Sequence, residues 1–122
     1  RVKFYGRLSR QGVRDLFHRS HVVLSASDFE TFGITLIEAL SCGRPIIATR
    51  SGGPQDFVTD EVGILVPKNN SAAMAEALRT IRENYTRYQP QALHDYVEAR
   101  YSEAAIVQRL TELYEQAQAS LG

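Results

Sequence analysis

Short, almost wholly apolar runs alternating with segments of helical periodicity constrain this chain more than any other feature. Val2-Lys3-Phe4-Tyr5 reads as a short strand ended by Gly6, and His21-Val22-Val23-Leu24-Ser25 as a second. Pro45-Ile46-Ile47-Ala48-Thr49 and Gly63-Ile64-Leu65-Val66 read as a third and a fourth. Strands this apolar are expected to be covered on both faces. Between them, Val13, Leu16 and Phe17 at helical spacing predict a helix over 11–19. A second helix is predicted from about Ile34 to Cys42, stopped by Gly43 and Pro45. The loop Ser51-Gly52-Gly53-Pro54 leads into a short helix around Gln55 to Val58. Asn70 or Ser71 caps a further helix whose buried face is Met74, Leu78 and Ile81. The remainder is helical, with Ile106, Leu110, Leu113 and Ala117 on one stripe after a Ser102 cap. Strands and helices in this alternation imply a parallel sheet joined by right-handed crossovers. The expected class is α/β, a Rossmann-like parallel sheet flanked by helices.

Composition narrows the function. With 122 residues, 43% of them hydrophobic, the chain can build one core. Fourteen basic side chains balance fourteen acidic ones, so no net field draws nucleic acid or membrane, and no nucleic acid partner is expected. The single cysteine, Cys42, excludes an internal disulfide, fits a reducing compartment, and reads as a small core residue rather than a nucleophile. His18, His21 and His94 lack metal-ligand spacing. Tyr85, Tyr88, Tyr96 and Tyr101 are expected to pack the C-terminal helices onto the domain. No apolar run approaches the roughly 18 residues of a membrane span, and no signal peptide opens the chain. A strand-like run begins directly after Arg1, as expected of a piece of a longer protein.

In sheets of this class a ligand sits beyond the carboxyl ends of the strands. Two loops of unusual composition leave those ends, Ala26 to Gly33 and Thr49 to Pro54. Gly33 at a helix entrance allows close backbone approach, and the free N–H groups and positive dipole end there favour an anion. Glu30 lies in the first loop and Glu38 about one turn into the helix, so both can address one crevice. Carboxylates around an apolar-walled cleft suit the hydroxyl donors of a ribose or hexose. Anion and polyol together describe a sugar nucleotide.

Residues 2–66 then carry a family resemblance. Glu30 and Glu38 have seven residues between them with Phe32-Gly33 inside, followed by Glu38-Ala39, Gly43-Arg44-Pro45 and Gly52-Gly53. This ordered set resembles the C-terminal, donor-binding domain of retaining GT-B glycosyltransferases of the group 1 (family 4) type. The tail YSEAAIVQRLTELYEQ is similar to that family's closing helix. The resemblance implies that residues 1–122 are a partial domain, the C-terminal half of a GT-B fold, with an N-terminal acceptor domain outside the chain. It implies a hexosyltransferase-type enzyme binding a UDP-, GDP- or ADP-sugar and passing the sugar to a sugar, lipid or protein acceptor, with no bound metal or other cofactor. Location would be cytoplasmic, with peripheral membrane attachment through the other domain left open.

Carried over by position, Glu30 would be the catalytic-site carboxylate that accepts hydrogen bonds from the transferred sugar or lies near its phosphate. Phe32, Gly33, Ile34 and Thr35 would offer backbone N–H groups to sugar and pyrophosphate. Glu38 would hold the ribose hydroxyls, and Tyr5, Gly6, Arg7 and Leu8 would lie against the base. The stretch GRLSRQG is similar to an earlier phosphate motif of the family, but only 22 residues separate Arg7 from Glu30 and no lysine follows in place. The arginine–lysine pair for the pyrophosphate is therefore expected outside this chain, and the chain alone is expected to be inactive. Asp56 departs from the glutamate the family often has after Gly-Gly. A sugar-nucleotide epimerase of the same architecture and a non-catalytic nucleotide-binding module are the alternatives.

Overall fold

The computed structural model describes residues 2–29 and 33–121. Helix α1 (Arg10–His18) starts at Ser9, whose Oγ accepts the Gly12 N–H at 3.0 Å. Strand β1 (Val23–Ser25) follows, then α2 (Ile34–Ser41), β2 (Ile46–Thr49), a 3₁₀ turn over Gly53–Asp56 and β3 (Gly63–Val66). Helix α3 (Ser71–Glu83) begins at Asn70, whose side chain accepts from the Ala73 N–H at 2.9 Å. Two helices close the described chain: α4 (Pro90–Tyr101), with proline at its first position where no N–H is needed, and α5 (Glu103–Leu121).

The sheet is parallel in the order β1-β2-β3. Ile47 pairs with Leu24 on one side and Ile64 on the other. All four β2 residues are buried, as a central strand covered on both faces requires. Helix α3 packs on β2 and β3, α2 packs on β1 and β2, and α1 and α4 pack on α2. The core contains Leu36, Leu40, Ile46, Ile47, Phe57, Ile81 and Leu93, each at most 2% exposed. Full burial of one such side chain contributes about 1.5–3 kcal/mol.

Glycine-proline punctuation determines how α2 meets α4. Gly43 ends α2 in a left-handed conformation, φ 78°, where a side chain is strained. Its missing Cβ leaves room for Pro90 at the start of α4, which such an atom would approach to 2.7 Å. His94 Nδ1 lies 2.9 Å from the Ser41 carbonyl oxygen and ties the two helices together further along. Tyr88 is buried, and Tyr85, Tyr96 and Tyr101 pack against the core. Their expected role in fastening the C-terminal segment is met up to Tyr101.

Arg44 fastens α1 to the same layer. Its Nε donates to the Phe17 carbonyl at 2.9 Å and its NH2 nitrogen to the His18 carbonyl at 2.7 Å, satisfying two of the orphan carbonyls at the end of α1. Arg44→Ala is expected to cost about 1–2 kcal/mol, since bonds from a charged donor contribute more than neutral ones but this side chain is only half-buried. Chemical denaturation with an unchanged m-value would measure that loss.

Three expectations need correction. Residues 2–5 form no strand: Val2 is 80% and Phe4 93% exposed, and no strand of the sheet pairs with them. An apolar pattern makes a strand only where a ladder partner is within reach, and the sheet contains none for this segment. The short helix after Gly52 is a 3₁₀ turn beginning two residues earlier than predicted, at Gly53, with Pro54 preset for it. The stripe on α5 faces solvent, with Leu110 61% and Leu113 59% exposed. Extended backbone at Ser102 (ψ 158°) turns the chain between α4 and α5, and the Ser102 Oγ accepts the Ala105 N–H at 3.1 Å, so the predicted cap is present while the helix it starts points away from the core.

Candidate functional site

The loop leaving β1 is pinned before it enters α2. Ser25 Oγ and Ser27 Oγ are 3.1 Å apart, and Thr49, buried at the end of β2, donates its hydroxyl to the Ser27 carbonyl at 2.5 Å. The two loops with unusual composition are therefore linked at their roots. Gly33 is the N-cap of α2 with φ 71°, and Ile37 N–H closes the first turn onto the Gly33 carbonyl at 3.0 Å. The N–H groups of residues 34–36 are those a helix cannot satisfy within itself, and the positive end of the dipole lies with them. Ile34 and Thr35 are exposed at this end. Such a terminus favours negative charge, and phosphate above all.

Gly33 is buried as well as left-handed. A Cβ there would meet the Phe57 ring at 3.0 and 3.1 Å. Phe57 is itself fixed: its carbonyl accepts the Tyr96 hydroxyl at 2.7 Å, and Tyr101 lies edge-on to its ring at 6.3 Å. Helix α4 thus supports the entrance of α2 from beneath.

Glu38 is half-buried, one turn into α2, and lines a groove of about 150 Å³ between α1 and α2. Ser41 and Cys42 continue its wall, and Arg10, Arg14 and Phe17 form the facing one at helical spacing. Among the described residues no hydrogen bond or ion pair occupies the Glu38 carboxylate or either guanidinium. Burial pushes the Cys42 thiol up, with Glu38 adding to the shift and Arg14 and Arg44 opposing it, so the thiol stays protonated near neutral pH. Cys42 is a packing residue here.

Other clefts flank this groove. One of about 560 Å³ opens at the carboxyl ends of the strands, between Ala26, Thr49, Pro67 and the start of α3. Another of about 450 Å³ lies between Ile34 and Ile37 of α2, Gly53 and Phe57, and Arg100 and Tyr101 of α4. Arg100 donates to the Asp56 carbonyl at 3.1 Å and covers the Tyr96 and Tyr101 rings. The cleft that takes in Ile34 adjoins the anion-favouring end of α2 and also carries Asp56, Arg100 and Arg109, whereas the Glu38 groove follows the later part of the helix to Ser41 and Cys42.

The predicted residues are distributed unevenly. Gly33, Ile34 and Thr35 form the entrance of α2, and Glu38 follows one turn along the same helix. Tyr5, Gly6, Arg7 and Leu8 run into the start of α1, the end that brings Arg10 to the groove; Tyr5 is 43% exposed and Leu8 half-buried. Glu30 and Phe32 lie outside the described residues. Arg10, Arg14 and Phe57 escape the sequence reading, because only the packing of α1 and α4 on α2 brings them there. Among the described residues no group of three or more His, Cys, Asp or Glu side chains could hold a metal ion, and no helix is long and apolar enough to cross a membrane.

With this geometry in place, comparison with known proteins gives the family. Residues 1–103 match the family model for glycosyl transferases group 1. The gpi3 subunit of phosphatidylinositol N-acetylglucosaminyltransferase from Schizosaccharomyces pombe is 29% identical over 94% of this chain and 25% of its own length. D-inositol 3-phosphate glycosyltransferase from Kribbella flavida is 38% identical over 66% of this chain and 19% of its own. The chain thus spans about a quarter or less of the length of these relatives. Among solved structures, sucrose-phosphate synthase from Thermosynechococcus elongatus superposes with a TM-score of 0.81 at 30% identity, covering 98% of this chain and 31% of that one. Anabaena HepE, solved in complex with UDP and glucose, gives 0.79 at 27% identity, covering 95% and 32%. The architecture is that of GT-B glycosyltransferases, and the chain belongs to the glycosyl transferases group 1 family.

Proposed function

We propose that residues 1–122 form the donor-binding part of a retaining glycosyltransferase, holding a nucleotide sugar whose sugar passes to an acceptor bound by another domain. The observation that carries this reading is the pairing of a carboxylate with no partner among the described residues, Glu38, with a helix entrance one turn earlier built through left-handed Gly33. The first suits ribose hydroxyl donors and the second suits pyrophosphate oxygens. HepE, of like fold, has been solved with UDP-glucose, which supports a donor of this kind.

In this assignment Glu38 accepts from the ribose hydroxyls, and the backbone N–H groups of Phe32, Gly33, Ile34 and Thr35 face the sugar and pyrophosphate. Glu30 accepts from the hydroxyls of the transferred sugar, and Tyr5, Gly6, Arg7 and Leu8 lie against the base. Transfer proceeds on one face of the sugar. The acceptor oxygen bonds to the anomeric carbon on the side from which the nucleoside diphosphate leaves, and a departing phosphate oxygen takes the acceptor proton. The dipole of α2 stabilises the charge that develops on that phosphate, and fixed dipoles of this kind need no reorganisation as the bond breaks.

Glu38→Gln tests the ribose role with little change of shape. Losing a charge-assisted acceptor should weaken nucleotide-sugar binding about tenfold, equivalent to about 1.4 kcal/mol. Titration calorimetry reads the affinity and circular dichroism confirms the fold. Unchanged affinity for UDP-, GDP- and ADP-sugars in a folded variant would remove the ribose assignment.

A further inference from the structure

Resting on that reading, the groove between α1 and α2 bears on which nucleotide the site accepts. Arg10 and Arg14 stand one helical turn apart on α1 and face Glu38 across about 150 Å³. Both arginines are exposed, and neither is engaged by a hydrogen bond or ion pair among the described residues, although a carboxylate shares their groove. Arg10 is the first residue of α1, immediately after the segment 5–8 and its cap Ser9. Arg14 follows one turn later on the same helix, and both line the groove together with Glu38, Ser41 and Cys42.

We propose that Arg10, backed by Arg14, selects nucleoside diphosphates whose base presents a keto oxygen at pyrimidine C4 or purine C6, namely uracil or guanine, over those presenting an amine at that position, namely adenine or cytosine. If Glu38 holds the ribose, the base attached to that ribose lies within one or two residues' reach of the same groove. A guanidinium carries donors only and has no acceptor to offer an amine. Guanine O6 and N7 accept it in a two-pronged bond, and uracil O4 accepts a single one. At that position adenine and cytosine present their N6 and N4 amines, which would point N–H donors at N–H donors and leave that arginine contact unsatisfied on desolvation. Glu38 cannot relieve that mismatch while its oxygens are committed to hydroxyls.

The test is a matched titration of the chain with UDP, GDP, ADP and CDP, followed by amide chemical shifts, on the unmodified protein and on Arg10→Ala and Arg10→Lys. The expected result is binding of UDP or GDP about tenfold tighter than ADP and CDP, the ratio one good base contact supplies. Comparing UDP with GDP tells which keto base is preferred. Arg10→Ala should erase the ratio, and Arg10→Lys, which keeps a donor but not the fork, should leave only the part that a single bond to O4 or O6 supplies. A uniform loss for all four nucleotides on Arg10→Ala, restored by Arg10→Lys, would overturn the proposal in favour of simple attraction to phosphate. Equal binding of all four by the unmodified chain, a preference for ADP, or a keto preference that survives Arg10→Ala would also overturn it while leaving nucleotide binding intact. Absence of binding to any of the four would overturn this proposal together with the donor-binding reading.

Discussion

Gly63→Ala is expected to cost the fold about 4 kcal/mol or more of its stability. An added Cβ would stand 2.0 Å from the Ile46 carbonyl oxygen and 2.9 Å from both the carbonyl carbon and Cγ1 of the same residue. Those atoms belong to the central strand, whose residues are fully buried and hydrogen-bonded on both sides, so they have nowhere to retreat. Relief requires β3 to move away from β2 by more than an ångström, which breaks several ladder bonds at about 0.5–1.5 kcal/mol each and opens the packing of α3. Against a typical total stability of about 5–15 kcal/mol, a loss of about 4 kcal/mol or more removes from about a quarter to most of the margin and lowers the melting temperature steeply. Thermal melting followed by far-ultraviolet circular dichroism measures it. A variant that melts within a few degrees of the parent chain would show that β3 can shift without cost.

Gly33→Val should produce the second largest effect, through two causes at one position. A β-branched residue at φ 71° is strained by about 1–3 kcal/mol, and its Cβ would press on a Phe57 ring that is 1% exposed. Because Tyr96 and Tyr101 hold Phe57 in place, the ring cannot swing aside. The expected destabilisation is about 2–4 kcal/mol, accompanied by loss of the chemical-shift response to UDP-glucose, since the entrance of α2 has to move. From sequence alone this substitution is expected to spare the fold and crowd only the ligand; contact with Phe57 adds the structural part. Full stability together with full response to the donor would mean that the loop tolerates a different path.

The legible parts of the molecule are those where local chemistry and long-range packing agree. Strand β3 matches its predicted limits, and β2 begins one residue inside its predicted run, because apolar runs bounded by glycine, proline and polar residues leave little choice. Gly43 marks a helix end through the left-handed backbone that its lack of a side chain permits, and Asn70 marks one through the Ala73 N–H that its side chain accepts. Residues 2–5 carry the same apolar signature as β3, yet a signature cannot supply the neighbour that a strand requires. The stripe on α5 has the spacing of a buried face, and spacing does not say whether anything lies opposite. At the candidate site, Glu38 and Gly33 stand out through position within one helix. Arg10 and Arg14 do not, because their approach to Glu38 depends on Arg44 reaching across 27 residues to the end of α1.

The central position of β2 has a kinetic consequence. Its partners are reached only through the connections 26–45 and 50–62, so the sheet cannot assemble by local zippering, and folding should run on the slower timescale of non-local topologies. Once formed, the amides of Ile46 to Thr49 can exchange with deuterium only when the whole unit opens, and they report the global free energy. Amides of α5, whose apolar side chains lie in solvent, are protected by little beyond the helix's own bonds and should exchange by fraying. Within one chain, protection factors should therefore fall from the middle of the sheet to the last helix by several orders of magnitude.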